Sequence, residues 1–448
     1  MESIIRNWRV AHATENGKLL ASTISLTNTD LEEFAYSTNA ARVADEVFRA
    51  LEYENGSARP KVTNKAGLEA WAEVYVGFWK VAQALERHDE VEWGTVFAGM
   101  KELTQAVIRG FQNALWEVWQ LEVLYTACKY LRYVAIRADE AKRAAGEDTW
   151  KQLEEAARII NRAFNVCLND RAELAQSRKW GTYYIINLLF KTYFKLNAIT
   201  LSKNILKALV ANTTEMPDLL DFRTSDVVTF KYYCGVIAFL DEDYFKAEEH
   251  LDMAYRLCHK AAQKNKELIL TYLIPTKLLT RRQLPTATLL KPYPALELLF
   301  LPLAKCIKAG NIREYDEHLA QGEDWFVRKR IFLTLERGRD ITLRNLFRKV
   351  YLAAGASKTR IPVDHFRAAV SWKSGVDVEA EEVECFLANM MYKGIGGPAK
   401  PSVDALPRPD IESQPPTALL HPTNQSPAPA DSIPPPTNVL ATVMNHDR

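Results

Sequence analysis

Phe230-Lys231-Tyr232-Tyr233-Cys234-Gly235-Val236-Ile237-Ala238-Phe239-Leu240-Asp241-Glu242-Asp243-Tyr244-Phe245-Lys246-Ala247-Glu248-Glu249-His250-Leu251-Asp252-Met253-Ala254-Tyr255 is the stretch whose spacing decides the fold. Phe230, Tyr233, Cys234 and Ile237 recur at i, i+3, i+4 and i+7, which puts them on one buried face of a helix. After the acidic turn Asp241-Glu242-Asp243, a second stripe follows: Tyr244, Ala247, Leu251, Ala254, Tyr255 and Cys258. Gly235 lies 12 residues before Ala247, and Ala247 lies 7 before Ala254, the small-residue offsets of a tetratricopeptide-like helical hairpin. The spacing therefore assigns helix packing to Gly235, Ala247, Leu251 and Ala254. The Trp and closing Pro of the full repeat are absent, so the hairpin is a degenerate one whose neighbours complete its core.

Those neighbours read as further helices within a Val227–Leu279 frame and beyond it. Downstream, Glu267–Leu279 with Pro285–Leu290, and Leu296–Ala309 with Ile312–Ala320, read as two more hairpins. Glu317-His318-Leu319 repeats Glu249-His250-Leu251 at an offset of 68, twice 34, with Asn311 standing where Asp243 stands. Upstream, Thr29–Tyr53, Lys65–Arg87, Phe111–Arg143, Thr149–Leu174, Gly181–Leu196 and Ile199–Val210 read as helices, the first two parted by a Gly/Pro hinge at Glu54–Pro60. Trp180, Tyr183, Tyr184, Phe190, Tyr193 and Phe194 could serve as a base-stacking platform, but their helical spacing favours packed core. From Asp340 onward the pattern changes to three short helices, Ile341–Leu352, Val363–Trp372 and Glu379–Tyr392. Leu346, Phe347, Val350, Val383, Phe386, Leu387, Met390 and Met391 are expected to face inward, as in a winged-helix or helix-turn-helix domain.

The chain has 448 residues, too many for one ordinary core. Its 57 Lys and Arg nearly balance 56 Asp and Glu, so only local charge can point to a polyanionic partner. Cys128, Cys167, Cys234, Cys258, Cys306 and Cys385 show no C-x-x-C pair and mostly fall in apolar stripes, as reduced core cysteines do. The first 13 residues lack the apolar run of a secretory signal, and no apolar stretch approaches the ~20 residues that span a bilayer. We expect a protein of the nucleus and cytoplasm with no membrane partner. The last 51 residues hold 12 of the 20 prolines, and from this composition we expect a disordered tail at 398–448.

Several segments resemble the PCI-domain family, in the branch of the signalosome-associated subunit-twelve-like proteins and their paralogues in the nuclear mRNA-export complex. They are Lys231–Gly235, Phe245–Glu249, Cys258-His259, Gln263–Lys266, Tyr272–Pro275, Ile331–Glu336 and Arg344–Tyr351, within a match from about Trp180 to Gly394. The resemblance implies an all-α fold: a TPR-like helical-repeat array followed by a C-terminal winged-helix module. Its expected divisions are an N-terminal helical-repeat region (1–178), the helical part of the PCI domain (179–339), its winged-helix part (340–397) and the tail. It also implies a non-enzymatic scaffold that binds a larger PCI-containing scaffold subunit and a small acidic DSS/SEM-type protein, in assemblies some of which bind RNA or DNA. One departure stands out. The family continues into a β-hairpin wing, whereas Tyr392-Lys393-Gly394 here runs into Ile395-Gly396-Gly397-Pro398 and low complexity. Either the wing is lost or the predicted transcript reads through a splice boundary; we expect the second, and finding this tail in the sequenced mature message would reject it.

Between Gly322 and Arg360 stand 10 basic residues against 4 acidic ones. Of these, Arg328, Lys329, Arg330, Arg344, Arg348 and Lys349 are the candidates for holding phosphates or an acidic partner, and a solvated face is the plainer reading. The third helix of the winged module carries Glu379, Glu381, Glu382 and Glu384 in its first turn. Those carboxylates suit the helix dipole but repel phosphate, so any nucleic acid should be held through its backbone without sequence preference. The histidines show no H-E-x-x-H spacing, and neither a phosphate loop nor a G-x-S-x-G elbow occurs. No catalytic residue, metal site or cofactor is therefore assigned, and Asp241, Glu242 and Asp243 read as a solvated turn. The sequence supports a scaffold subunit first and a free-standing nucleic-acid-binding module second.

Overall fold

The computed structural model describes residues 1–52, 65–86, 91–147, 150–355 and 361–392. The hinge expected at Glu54–Pro60, the wing and the tail all lie outside them. Among the described residues every regular element is helical, so the fold is all-α. The chain forms two compact units, Met1–Tyr233 and Cys234–Arg448.

The first unit contains α1 (Glu2–Thr14), α2 (Gly17–Ser22), α3 (Leu31–Tyr36), α4 (Val43–Glu52), α5 (Lys65–Glu86), α6 (Trp93–Gln112), α7 (Leu121–Ala144), α8 (Lys151–Leu168), α9 (Thr182–Lys195) and α10 (Ile199–Ala211). From α5 to α9 each helix packs on the next, and α6 also meets α8 as α7 meets α9, as in a stacked helical array. Its core is aromatic. Trp71, Tyr75, Phe78 and Phe111 are fully buried, and Trp116 stacks on Trp71 at 4.5 Å. The aromatic residues of α9 belong to this packing: Phe190 lies 6.2 Å from Phe230, and Phe194 lies 5.0 Å from Tyr233.

Two long helices expected from periodicity are broken. Thr29–Tyr53 divides into α3 and α4 because Asn39 turns the chain: its side chain accepts from the amides of Ala41 (3.1 Å) and Arg42 (3.2 Å). Phe111–Arg143 is interrupted because Trp116 must reach the core beside Phe111 and Trp71. Ala114 takes φ 53°, Leu115 N–H closes onto the Gly110 carbonyl at 3.1 Å, and the Trp116 ring covers Gly110. A β-carbon on Gly110 would meet that ring at 2.5 Å. Burying a large ring there outweighs helix continuity. α1 and α6 are helices that the charge alternation and the hinge-bounded reading did not reveal.

α11 (Thr224–Leu240) carries the chain into the second unit. That unit contains α12 (Tyr244–Leu257), α13 (Gln263–Arg281), α14 (Ala287–Leu290), α15 (Pro294–Ala309), α16 (Ile312–Gln321), α17 (Glu323–Arg328), α18 (Phe332–Glu336), α19 (Gly338–Ala353), α20 (Val363–Ser374) and α21 (Ala380–Tyr392). Asp243 caps α12, its carboxylate accepting from Lys246 N–H at 3.2 Å. Gly235 faces α12 so closely that a β-carbon would lie 2.5 Å from Leu251 Cγ, and Ala247, Leu251 and Ala254 are fully buried. Leu319, at the repeat position of Leu251, is buried as well, while Asn311 sits at the N-cap of α16 without a side-chain capping bond.

α19, α20 and α21 enclose a small core of Leu343, Leu346, Phe347, Val370, Val378 and Val383, to which α16 contributes Ile312. Phe386, Leu387 and Met390 pack partly against it. Met391, expected inward, is instead exposed, at the edge of the stripe of Val383, Phe386, Leu387 and Met390 that α21 turns to this core. Cys385 is exposed because it lies on the face of α21 opposite the Val383 stripe, whereas the other five cysteines are buried and free.

Two measurements check this packing. Gly235→Leu should overpack α11 against α12 and lower stability by roughly 1–3 kcal/mol, whereas Gly94→Ala, where a β-carbon meets nothing within 4 Å, should raise it by about 0.5–1 kcal/mol in thermal unfolding. His12 is buried among Trp8, Trp71 and Trp119, with Nδ1 donating to the Trp8 carbonyl (3.0 Å) and Nε2 accepting from Gln120 (3.1 Å). Burial lowers its pKa from 6.5 to about 4 despite the bond to Trp8. The folded state thus resists protonation that the unfolded chain accepts. On the order of 3 kcal/mol of stability, fully present above pH 6.5, should be lost as pH falls towards 4. In pH-dependent denaturation His12→Gln should remove that part of the slope.

Candidate functional site

The candidate cations lie on α17, on the turn that follows it, and on α19. α17 ends at Arg328, with Lys329 as its C-cap and Arg330 at φ 58°. Arg330 N–H donates to the Val327 carbonyl (2.8 Å) and Ile331 N–H to that of Phe326 (3.0 Å), closing the helix with a left-handed residue. Phe326 and Ile331 are both fully buried, so apolar contact across the turn drives this geometry. Glycine suits such a position, and here an exposed arginine occupies it. Lys329 Nζ lies 5.9 Å from the centre of the Trp325 ring. Burial lowers the Lys329 ammonium below its ordinary pKa, Arg328 adds to the effect, and Glu267 opposes it.

On α19, Arg344 is half-buried and bonded to Asn345 Oδ1 at 3.2 Å, and Asn345 in turn donates to the Ile307 carbonyl at 2.9 Å. Burial lowers the Arg344 guanidinium below its ordinary pKa, and the like charges of Arg282 and Arg348 push the same way. Arg282, the C-cap of α13 at φ 55°, therefore joins the cluster although it lies far outside the basic run. The adjacent pair Arg281-Arg282 at a helix end was the available sequence signal.

Other cations of the run serve the fold. Lys349 Nζ donates to the carbonyl of Ala309 (2.8 Å), the last residue of α15, where a cation meets the negative end of the helix dipole. Arg337 pairs with Glu242 (2.8 Å) and contacts the Tyr244 hydroxyl (3.3 Å), and Arg339 pairs with Asp316 (3.1 Å). Lys358 and Arg360 lie outside the described residues. The Asp241–Asp243 turn is thus tied into the fold at two of its acids, Asp243 as a cap and Glu242 as the partner of Arg337. Glu381, Glu382 and Glu384 are exposed on α21.

The structure accordingly sorts the six candidates. Arg328, Lys329 and Arg330 form one group beside α13, Arg344 and Arg348 form another with Arg282, and Lys349 is committed to a helix end. The strain at Arg330 is measurable: Arg330→Gly should raise stability by about 1 kcal/mol in chemical denaturation, because glycine enters the left-handed region without a β-carbon clash.

No family model matches this chain. It is similar to known proteins over most of its length. It is 46% identical over 429 residues to a Neurospora crassa protein named Protein CSN12 homolog, the match covering 88% of this chain and 94% of that one. A Protein CSN12 homolog of Gibberella zeae is 43% identical over 432 residues, again covering 88% and 94%. PCI domain-containing protein 2 of Xenopus laevis is 35% identical over 325 residues, covering 72% of this chain and 78% of that protein. With an all-α array leading into a three-helix module, and with these relatives, the chain belongs to the family of CSN12 homologues and PCI domain-containing protein 2.

Proposed function

We propose that this chain is a non-catalytic scaffold subunit of a multiprotein complex, of the signalosome-associated or mRNA-export and splicing type, working in the nucleus and cytoplasm. The observation that carries the reading is the apolar surface of the three-helix module. Leu352, Trp372, Val376 and Tyr392 are exposed, Trp372 at 78% and Tyr392 at 93%, beside a core of seven buried residues among the described ones. A module with so little interior and so much apolar exterior gains stability by docking. Its partner in this reading is the matching module of a larger PCI-containing scaffold subunit.

The two cation groups supply the other half of the binding surface. They suit a small acidic protein of the DSS/SEM type, and in the assembled complex they suit the phosphates of RNA or DNA. The exposed acids of α21 oppose groove reading, so the nucleic acid would be held without sequence preference. A free-standing nucleic-acid-binding module is the second reading, favoured by the like-charge crowding of Arg282, Arg344 and Arg348.

Arg328→Glu, Arg344→Glu and Arg348→Glu together, which spare the Lys349 helix cap, separate the two. Under the scaffold reading, affinity purification of the wild-type chain recovers a PCI-containing partner and an acidic one, and the triple variant fails to recover the acidic one. Where the same surface holds RNA, the triple variant should also flatten the salt dependence of RNA binding, by about 0.7 in log–log slope for each phosphate no longer neutralised. Strong RNA binding by the isolated chain, with no protein partner recovered, would favour the second reading.

A further inference from the structure

The first unit contains a cavity of about 260 Å³ that the scaffold reading does not use. Its lining includes the aromatic residues Trp119, Tyr125, Trp180 and Phe222, the acids Glu122, Asp221 and Asp226, and Arg223. The rings are held from behind. Tyr125 stacks on Tyr184 at 4.2 Å, Phe222 lies 5.1 Å from Trp180 and 4.5 Å from Tyr183, and the Trp180 indole donates to the Leu174 carbonyl at 2.8 Å. The walls are therefore built by the surrounding packing.

We propose that this cavity receives an arginine side chain of a partner polypeptide. Charge complementarity carries the assignment. Three carboxylates face one guanidinium among the lining residues, and with Lys191 acting on Asp226 from outside the lining the balance still remains negative by one. The resident Arg223 displays the chemistry that the walls accept: its guanidinium pairs with Glu122 and lies 5.5 Å from the centre of the Tyr125 ring. A second planar cation meets Trp119 and Trp180, the partly exposed aromatic residues of the lining, and the remaining carboxylates at Asp221 and Asp226, the combination of π-system and anion that guanidinium groups favour. Burial raises the Asp226 carboxyl to about 6 against the pull of Arg223 and Lys191, so its negative charge is poorly solvated. An incoming cation relieves that cost. A phosphate or an acidic side chain would meet net repulsion instead.

The proposal goes beyond the scaffold function, since it concerns the first unit and stands whether or not the cation groups of the second unit bind anything. Full-length protein labelled with 5-fluorotryptophan tests it by fluorine NMR, with Trp119→Phe and Trp180→Phe assigning the two resonances. Titration with the peptide acetyl-Gly-Arg-Gly-amide should shift both resonances saturably. The isosteric citrulline peptide, which lacks the charge, should bind at least about tenfold more weakly, a difference of ~1.4 kcal/mol. Asp221→Asn with Asp226→Asn should weaken the arginine peptide by a similar factor. Should that double variant misfold, the exposed Asp221→Asn alone should still weaken binding by about threefold, ~0.65 kcal/mol. Absence of a saturable shift, equal response to citrulline, or undiminished binding by Asp221→Asn would overturn the assignment.

Discussion

The backbone of α11 at Gly235 and the side chain of Leu251 on α12 share a space that admits no further carbon. That approach fixes how the first hairpin of the second unit closes. Once α12 lies there, its buried stripe of Ala247, Leu251 and Ala254 is aligned, and α13 packs on α12. The same device recurs where α15 ends. Gly310, at φ 69°, brings the chain so close to α19 that a β-carbon would lie 2.9 Å from Leu346 Cα. The helical hairpins and the terminal module are thus set by two places where the chain dispenses with a side chain. The cation groups ride on helices positioned in this way.

Charge in the second unit follows a division of labour that a count of residues conceals. Arg337, Arg339 and Lys349 are committed to Glu242, Asp316 and a helix end, and they stabilise the scaffold modestly, as exposed pairs do. Arg282 and Arg348 both bring like charge to Arg344, which folding alone does not reward. The first group explains how the surface holds together. The second is the group that we propose for an anionic partner.

Much of the fold was legible because helical periodicity is local. The stripes of α11 and α12, the ends of α5, α9 and α20, and the three-helix composition of the terminal module follow from residue spacing within one or two turns. The misreadings have two causes, a long-range contact overriding local propensity and a local side-chain turn within a helical run. Trp116 ends a helix to reach Trp71, and Asn39 turns the chain within a run of good helix formers. The candidate site was legible only as a charge excess. Which cations are committed depends on acids up to 95 residues away, as for Arg337 and Glu242, and Arg282 joins the cluster only through the return of α19 towards the end of α13. The aromatic cavity escaped notice because Trp119, Trp180 and Phe222 lie far apart in the chain.

The last helix has a consequence in time as well as in space. Among the described residues of α21 only Val383 is buried, and its far end carries Met391 and Tyr392 into solvent. A helix attached so lightly can detach while the array behind it stays folded, since local opening costs only the interactions that it breaks. Its amide protons should therefore exchange long before those of α5 or α7, and an occupant of the module would be felt first as a slowing of that exchange. Under the proposed docking, α21 would report assembly, ordered in proportion to what covers it.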